Sequence, residues 1–257
     1  MQNRNGLLVI ALSGLGILTA NALDWPHYRG PDYNGISKET GWLATWPATG
    51  PKQLWKAEVG IGFASLAVSN GRVYAAGNDK DTDSVFCFDA ATGKELWKYS
   101  YPAKLDPKYY EGGPSATPTV DGDRVYTFSK RGVVHCLDAA KGTVVWTKDL
   151  ATELKAKMPT WGFASSVFIE GDLALLNLGS TGAALEKKTG RVVWSSEGDE
   201  AGYSSFVPFA SNGKRAVALA TKQHVVALNP TDGKEIWRFP WKTQYDVNAS
   251  DPIISGS

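Results

Sequence analysis

From about residue 63 onward, short runs of β-branched and aromatic residues alternate with pairs of turn-forming residues, a pattern that predicts β-strands joined by tight turns. One spacing recurs four times: a polar residue, a Gly four positions later, and a Trp four positions after the Gly. Gly suits the turn because it adopts a positive φ without steric cost. The four segments are Asp89-x-x-x-Gly93-x-x-x-Trp97, Asp138-x-x-x-Gly142-x-x-x-Trp146, Glu186-x-x-x-Gly190-x-x-x-Trp194 and Asn229-x-x-x-Gly233-x-x-x-Trp237.

The length of this repeat indicates the fold. Trp55 stands on a similar strand without the turn before it, and successive Trp residues are 42, 49, 48 and 43 positions apart. A period of about 45 residues with four short strands per unit is typical of β-propellers. In the first unit the predicted strands are Ser65–Ser69, Arg72–Gly77, Ser84–Asp89 and Glu95–Tyr101. The fold class predicted is therefore all-β, a propeller of four-stranded antiparallel blades, with about four blades present of about seven or eight.

The first residues have the order of an export signal. Arg4 precedes the apolar run Leu7–Ala20, and Ala20-Asn21-Ala22 offers small residues for cleavage. The run is shorter than the ~20 residues of a comfortable membrane-spanning helix, and no second apolar stretch follows. We expect an exported chain, in the periplasm or at the cell surface, without a transmembrane span once mature. An uncleaved anchor is the alternative for this segment.

The repeat begins and ends out of phase. Residues 53–59 supply a last strand without its blade, and residues 249–257 begin a further unit. We therefore expect an open arc, with the remaining blades outside this sequence and Trp55 belonging to a closing blade. The predicted boundaries are 1–22 for the signal peptide, 23–52 for an N-terminal extension, 53–257 for the partial propeller, and 63–101, 115–150, 163–196 and 204–240 for its blades.

Charge and cysteine content narrow the choice of function. The chain has 27 Lys and Arg against 26 Asp and Glu, whereas nucleic-acid binders show a basic excess, so no nucleic-acid partner is expected.

Cys87 and Cys136 occupy the same position in successive repeats. Equivalent positions lie about one blade apart, beyond the ~7 Å Cα separation that a disulfide allows. We expect two buried free thiols.

The Asp-x-x-x-Gly-x-x-x-Trp repeat, with Leu-Asp-Ala-Ala-x-Gly leading into it, resembles the tryptophan-docking repeat of the PQQ-like β-propellers. That superfamily includes quinoprotein alcohol dehydrogenases and the propeller lipoprotein of outer-membrane protein assembly. The resemblance covers roughly residues 24–257, since Asp24-Trp25-Pro26-His27-Tyr28-Arg29-Gly30-Pro31 is similar to the start of many exported PQQ-like repeat proteins. It implies that each docking Trp packs between adjacent blades. These residues are Trp55, Trp97, Trp146, Trp194 and Trp237.

The resemblance also raises the question of catalysis. A quinoprotein dehydrogenase needs PQQ, a calcium ion with acidic and amide ligands, and a catalytic Asp, and the large alcohol dehydrogenases cover the quinone with two adjacent Cys. This chain has no two adjacent Cys residues. The candidates for calcium ligands, Asn248 and Asp251, stand near the start of a blade, where turn or cap roles are common. We predict no catalytic residue, no metal ligand and no cofactor. A PQQ- and Ca²⁺-dependent alcohol or sugar dehydrogenase, with its remaining blades missing, is the alternative.

The connections from the last strand of one blade to the first of the next carry aromatic residues. In a propeller these connections emerge on one face, around the central channel. Aromatic side chains are favoured at binding surfaces, although these could merely seal the blade tops. We therefore predict a non-catalytic scaffold that binds a protein partner or small ligand at its loop-rich face. The candidate rim residues are Phe63, Tyr110, Trp161, Phe163, Tyr203 and Tyr245.

Overall fold

Four antiparallel sheets make up the fold, one for each repeat. A computed structural model describes residues 23–108, 110–196 and 200–255, and the predicted signal peptide lies outside them. Each sheet has four strands, and strands that follow one another in sequence are neighbours in the sheet. The predicted class, an all-β partial propeller with four blades, is confirmed.

The strand bounds follow the turn residues closely. Blade 1 consists of β1 (Ala67–Ser69), β2 (Arg72–Asp79), β3 (Thr82–Asp89) and β4 (Glu95–Pro102). Blade 2 consists of β5 (Thr119–Asp121), β6 (Arg124–Phe128), β7 (Val133–Asp138) and β8 (Val144–Asp149). Blade 3 consists of β9 (Phe168–Glu170), β10 (Leu173–Leu176), β11 (Ala183–Glu186) and β12 (Val192–Ser195). Blade 4 consists of β13 (Val207–Ser211), β14 (Lys214–Ala220), β15 (His224–Leu228) and β16 (Glu235–Pro240).

Two short helical turns lie in the connections. Helix α1 (Leu150–Glu153) follows β8 directly, and a 3₁₀ turn (Gln244–Asp246) follows β16. Asp149 caps α1, because its side chain accepts a hydrogen bond from the Thr152 amide at 3.0 Å. Its capping role explains why β8 ends at Asp149.

Each blade meets the next through a Trp on its outgoing strand. The Trp97 indole lies over Gly142, where a Cβ would come within 2.5 Å of the ring. Its Nε1–H donates to the carbonyl of Ala139, three residues before that Gly, at 3.0 Å. The same ring-on-glycine contact and the same type of hydrogen bond recur for Trp55 with Gly93 and Ala90, Trp146 with Gly190 and Lys187, and Trp194 with Gly233 and Pro230.

A second series of hydrogen bonds, which we call the inner belt, joins the segments that lead into the first strands. The Ser65 amide donates to Thr117 Oγ1 at 3.1 Å, and the Thr117 amide donates to Ser166 Oγ at 3.0 Å. The Ser166 amide donates to Ser205 Oγ at 3.0 Å, and the Ser205 amide donates to Asp251 Oδ1 at 2.8 Å. Each blade is therefore tied to its neighbour at its first strand as well as at its fourth.

The hydrophobic core is divided among the spaces between blades. The space between blades 1 and 2 is filled by Tyr74 and Trp97 from one side and Val125 and Leu137 from the other. Cys87 lies in this space, and Cys136 lies in the corresponding space between blades 2 and 3. Both thiols are buried and free, as the repeat predicted.

Thiol chemistry checks this placement. Burial raises the pKa of the Cys87 and Cys136 thiols to about 11, so neither is a reactive thiolate at neutral pH. We expect no alkylation of the folded protein at pH 7.5, and two labels per chain after unfolding without reductant, measured by intact mass. Unfolded, unreduced protein that takes up no label would show a disulfide instead.

Candidate binding rim

Four of the six predicted rim residues come together. The Phe63 and Tyr110 rings meet edge to face with centroids 5.3 Å apart, and the Trp161 and Tyr203 rings lie 5.8 Å apart. Tyr110 Oη donates to the Trp161 carbonyl at 3.4 Å, and the Trp161 amide donates to Tyr203 Oη at 3.4 Å. These four residues form a continuous chain of side chains, here called the aromatic rim.

The rim borders an open cavity of about 310 Å³. All four connections that follow the blades contribute to its walls, because Tyr110, Trp161, Tyr203 and Val247 come one from each. The remaining lining residues are small: Ser115, Ala164 and Ala249. The cavity is therefore a shared feature of the arc and not a property of one loop.

The inner belt explains which side chains face the cavity. In an extended segment successive side chains point to opposite sides. Ser115, Ala164, Tyr203 and Ala249 each lie two residues before a belt residue, and all four line the cavity. Phe63 also stands two residues before its belt residue, Ser65, and its ring meets that of Tyr110. The belt therefore fixes the register of the whole rim.

Phe163 corrects the prediction. Its side chain is 1% exposed and packs against Phe128, with ring centroids 5.2 Å apart, in the core between blades 2 and 3. The sequence Gly-Phe-Ala-Ser occurs at both Phe63 and Phe163, but the belt residue of the later copy is Ser166. Phe163 therefore stands three residues before its belt residue, and Ala164 takes the cavity position.

Tyr245 lies apart from the other rim candidates. It is 83% exposed, sits in the 3₁₀ turn with a φ of 63°, and is not among the residues that line the cavity. The structure does not bring it together with the aromatic rim.

Lys130 supports the rim and was not found from the sequence. It is buried, and its Nζ lies 5.3 Å from the centre of the Tyr110 ring. The same Nζ donates to the carbonyls of Leu105 at 3.4 Å and Asp106 at 3.2 Å. The ammonium group therefore holds the connection after blade 1 against the ring through cation–π and hydrogen-bond contacts. Lys130 precedes Arg131-Gly132 in a hairpin, where a solvated lysine would be the usual expectation.

Gly162 and Gly202 let the connections approach the blades closely. A Cβ on Gly162, whose φ is 81°, would lie 2.8 Å from the Lys130 carbonyl oxygen. A Cβ on Gly202 would lie 2.3 Å from the Ala220 carbonyl oxygen. Because each Gly stands beside a rim aromatic, Trp161 or Tyr203, larger residues here would push the rim away from its support.

The two residues considered for calcium, Asn248 and Asp251, both form hydrogen bonds with protein groups. The Asn248 amide nitrogen donates to the carbonyls of Thr221, Lys222 and Trp241, at 2.9, 3.2 and 2.8 Å. Asp251 accepts from the Ser205 amide and contacts Arg29, and burial raises the pKa of its carboxyl group. Both side chains thus hold protein groups in place. Within the described ranges, no three His, Cys, Asp or Glu side chains gather in a way that could hold a metal ion.

The described part of the chain contains no helix that is both long and apolar enough to cross a membrane.

Four sheets joined by a Trp over the Gly of the next repeat define a PQQ-like β-propeller protein, as the sequence repeat predicted. The family described as outer membrane protein assembly factor BamB matches residues 39–113 and 106–254, and the chain belongs to this family. A comparison with curated proteins gives no match.

Two solved structures with TM-scores above 0.5 show the same fold. A europium-containing methanol dehydrogenase aligns with a TM-score of 0.55 at 17% identity, over 68% of this chain and 41% of the other. The quinohemoprotein alcohol dehydrogenase ADHIIG of Pseudomonas putida HK5 aligns with a TM-score of 0.51 at 17% identity, over 68% of this chain and 34% of the other. BamB of Moraxella catarrhalis aligns with a TM-score of 0.47 at 18% identity, over 70% of this chain and 63% of the other. The chain thus spans between a third and two thirds of the length of these structures.

Proposed function

We propose that this protein is a binding scaffold whose aromatic rim and cavity hold a protein partner. The observation that carries the proposal is the convergence of all four connections on one cavity walled by Tyr110, Trp161 and Tyr203. Tyr and Trp are enriched among the residues that dominate protein–protein binding energy. Because these rings already contact one another, little side-chain freedom is lost when a partner binds.

The family and the N-terminal sequence support a location outside the cytoplasm. The family description names an outer membrane protein assembly factor, which agrees with a protein partner rather than a small substrate. The run Leu7–Ala20 followed by Ala20-Asn21-Ala22 supports export through a cleaved signal. We therefore propose that the scaffold acts in the periplasm or at the cell surface.

A rim variant tests the proposal. We expect Trp161→Ala with Tyr203→Ala to weaken partner binding at least ~30-fold, since truncating a hot-spot residue costs about 2 kcal/mol or more. The partner would be identified by crosslinking in the cell envelope, and its Kd for each purified variant would be measured by titration. Trp46→Ala is the matched control, because Trp46 is an exposed Trp in the N-terminal extension.

Two outcomes would contradict the scaffold. One is equal affinity of the rim variant and the wild type for the crosslinked partner, with both variants folded by circular dichroism. The other is tight binding of PQQ with Ca²⁺ together with alcohol- or sugar-dependent reduction of an artificial electron acceptor. The second outcome would establish the dehydrogenase instead.

A further inference from the structure

The segment 24–35, here called the N-terminal strap, runs across the first strands of the blades. Trp25 pairs with Val68 of β1, with N–H···O distances of 2.7 Å from the Trp25 amide and 2.8 Å from the Val68 amide. The next carbonyl, that of Pro26, accepts a hydrogen bond from the Val120 amide of β5 at 2.7 Å. One short stretch of backbone therefore bonds to the first strands of two blades.

The strap continues to blade 3 and to the inner belt. His27 stacks on Tyr33 with ring centroids 3.8 Å apart, and Tyr33 lies 4.5 Å from the Phe168 ring of β9. Arg29 reaches Asp251, the last acceptor of the belt, with an N···O distance of 3.4 Å. Contacts from a single segment thus connect three blades with the residues that follow the fourth.

The local sequence explains the shape of the strap. Arg29 and Gly30 have φ values of 65° and 73°, so the chain reverses there. The Trp25 ring folds back over Gly30, where a Cβ would lie 2.7 Å from it. Asp24 anchors the start of the strap, because its carboxylate accepts from Ser69 Oγ at 2.9 Å and from the Asn70 amide at 3.1 Å.

The position of these contacts places the strap at the hairpin ends of the first strands, away from the rim. Val68 and Val120 each stand three residues after a belt residue, which is about 10 Å along a strand. The strap borders a cavity of about 400 Å³ together with Asn70 and Gly122, which lie in the hairpin turns at that end.

We infer that the N-terminal strap is a releasable clasp, which lies across the hairpin ends of the first strands of blades 1, 2 and 3 and fastens them together. It is held by three backbone hydrogen bonds, by the contacts of Asp24 and Arg29, and by the His27 and Tyr33 rings, of which Tyr33 packs against the core between blades 3 and 4. Segments held in this way open as separate units, at a lower free energy than the strands beneath them. The inference does not depend on what the rim binds.

Hydrogen exchange of the chain, followed residue by residue by NMR, tests the clasp. Trp25→Ala removes the ring that locks the strap over Gly30. We expect the amides of Val68 and Val120 to exchange at least ~10-fold faster, while those of β3 and β7 keep their protection. Trp42→Ala is the matched control: Trp42 lies in the same N-terminal extension, is 73% exposed, and should change neither amide.

Gly30→Ala gives an independent route to release, because its methyl group would meet the Trp25 ring while every blade side chain stays native. Gly30→Ala should therefore speed hydrogen exchange at the same two amides. Unchanged protection at Val68 and Val120 in both variants would overturn the inference. Loss of protection throughout β3 and β7, or failure of both variants to fold, would overturn it too, because Trp25 would then be part of a single cooperative core.

Discussion

Trp97→Ala will lower the free energy of unfolding by about 3–5 kcal/mol, the usual cost of truncating a large buried aromatic side chain. Trp97 is buried between blades 1 and 2, lies over Gly142, and donates to the Ala139 carbonyl. Its removal leaves a cavity between two sheets and takes one hydrogen bond from the Ala139 carbonyl, which still accepts from Arg72 at 2.6 Å. Both effects act on the surface that holds neighbouring blades together.

Trp241→Ala is the matched control for Trp97→Ala. Trp241 is 55% exposed in the connection after β16, so its truncation should cost less than about 0.5 kcal/mol. Denaturant titrations followed by circular dichroism would give both midpoints, which avoids the change in fluorescence that loss of a Trp causes. Equal shifts for the two variants would show that the ring-on-glycine contact contributes nothing special to stability.

A pair of glycine variants separates ring packing from backbone strain. Gly142→Ala and Gly71→Ala both place an L residue at positive φ, 70° and 69° respectively. A Cβ at Gly142 meets the Trp97 ring, whereas a Cβ at Gly71 meets nothing within 4 Å. The difference between the two losses of stability therefore measures the clash with Trp97. A difference near zero would mean that the ring can move aside freely.

Local spacing was enough to predict the blades, because the turn Gly and the docking Trp lie within a few residues of each other. The strand ends were less predictable. Strand β1 begins at Ala67 and not at the expected Ser65, because the Ser65 amide bonds to the Thr117 side chain of the next blade instead of to β2. Thr117 is 52 residues away from Ser65, and no pattern within the first unit predicts this hydrogen bond.

The rim shows the same limit. Aromatic content in the connections correctly brought Phe63, Tyr110, Trp161 and Tyr203 into one group. Phe163 was misplaced because a one-residue shift relative to the belt turns its side chain to the other side of an extended segment. From the sequence, the N-terminal strap was identified only by its similarity to the start of exported PQQ-like repeat proteins. Its contact between Arg29 and Asp251 joins residues 222 positions apart, which spacing cannot reveal.

The outer face of blade 4 leads to the second large expected effect. On β4, Trp97, Tyr99 and Tyr101 share one face, and the two tyrosines pack against His135 of blade 2. The corresponding side chains of blade 4 and the connection after it, Trp237, Phe239 and Trp241, are 39%, 57% and 55% exposed. Among the described residues, no sheet covers them. An apolar face of this kind, with β16 at the sheet edge, favours association between chains.

Residues 23–257 will therefore self-associate when purified alone, and this range leaves out the apolar run Leu7–Ala20. We expect an average mass above the 27.7 kDa of the full chain that rises with concentration in light scattering, together with binding of an apolar dye. Trp237→Lys with Phe239→Lys should reduce both signals several-fold, since two charges on that face oppose its burial. Trp42→Lys with Trp46→Lys, at exposed positions of the N-terminal extension, should leave both signals unchanged.

A monomer without dye binding and with one sharp unfolding transition would show that this face is stable in water by itself, and that the docking Trp of blade 4 needs no covering sheet.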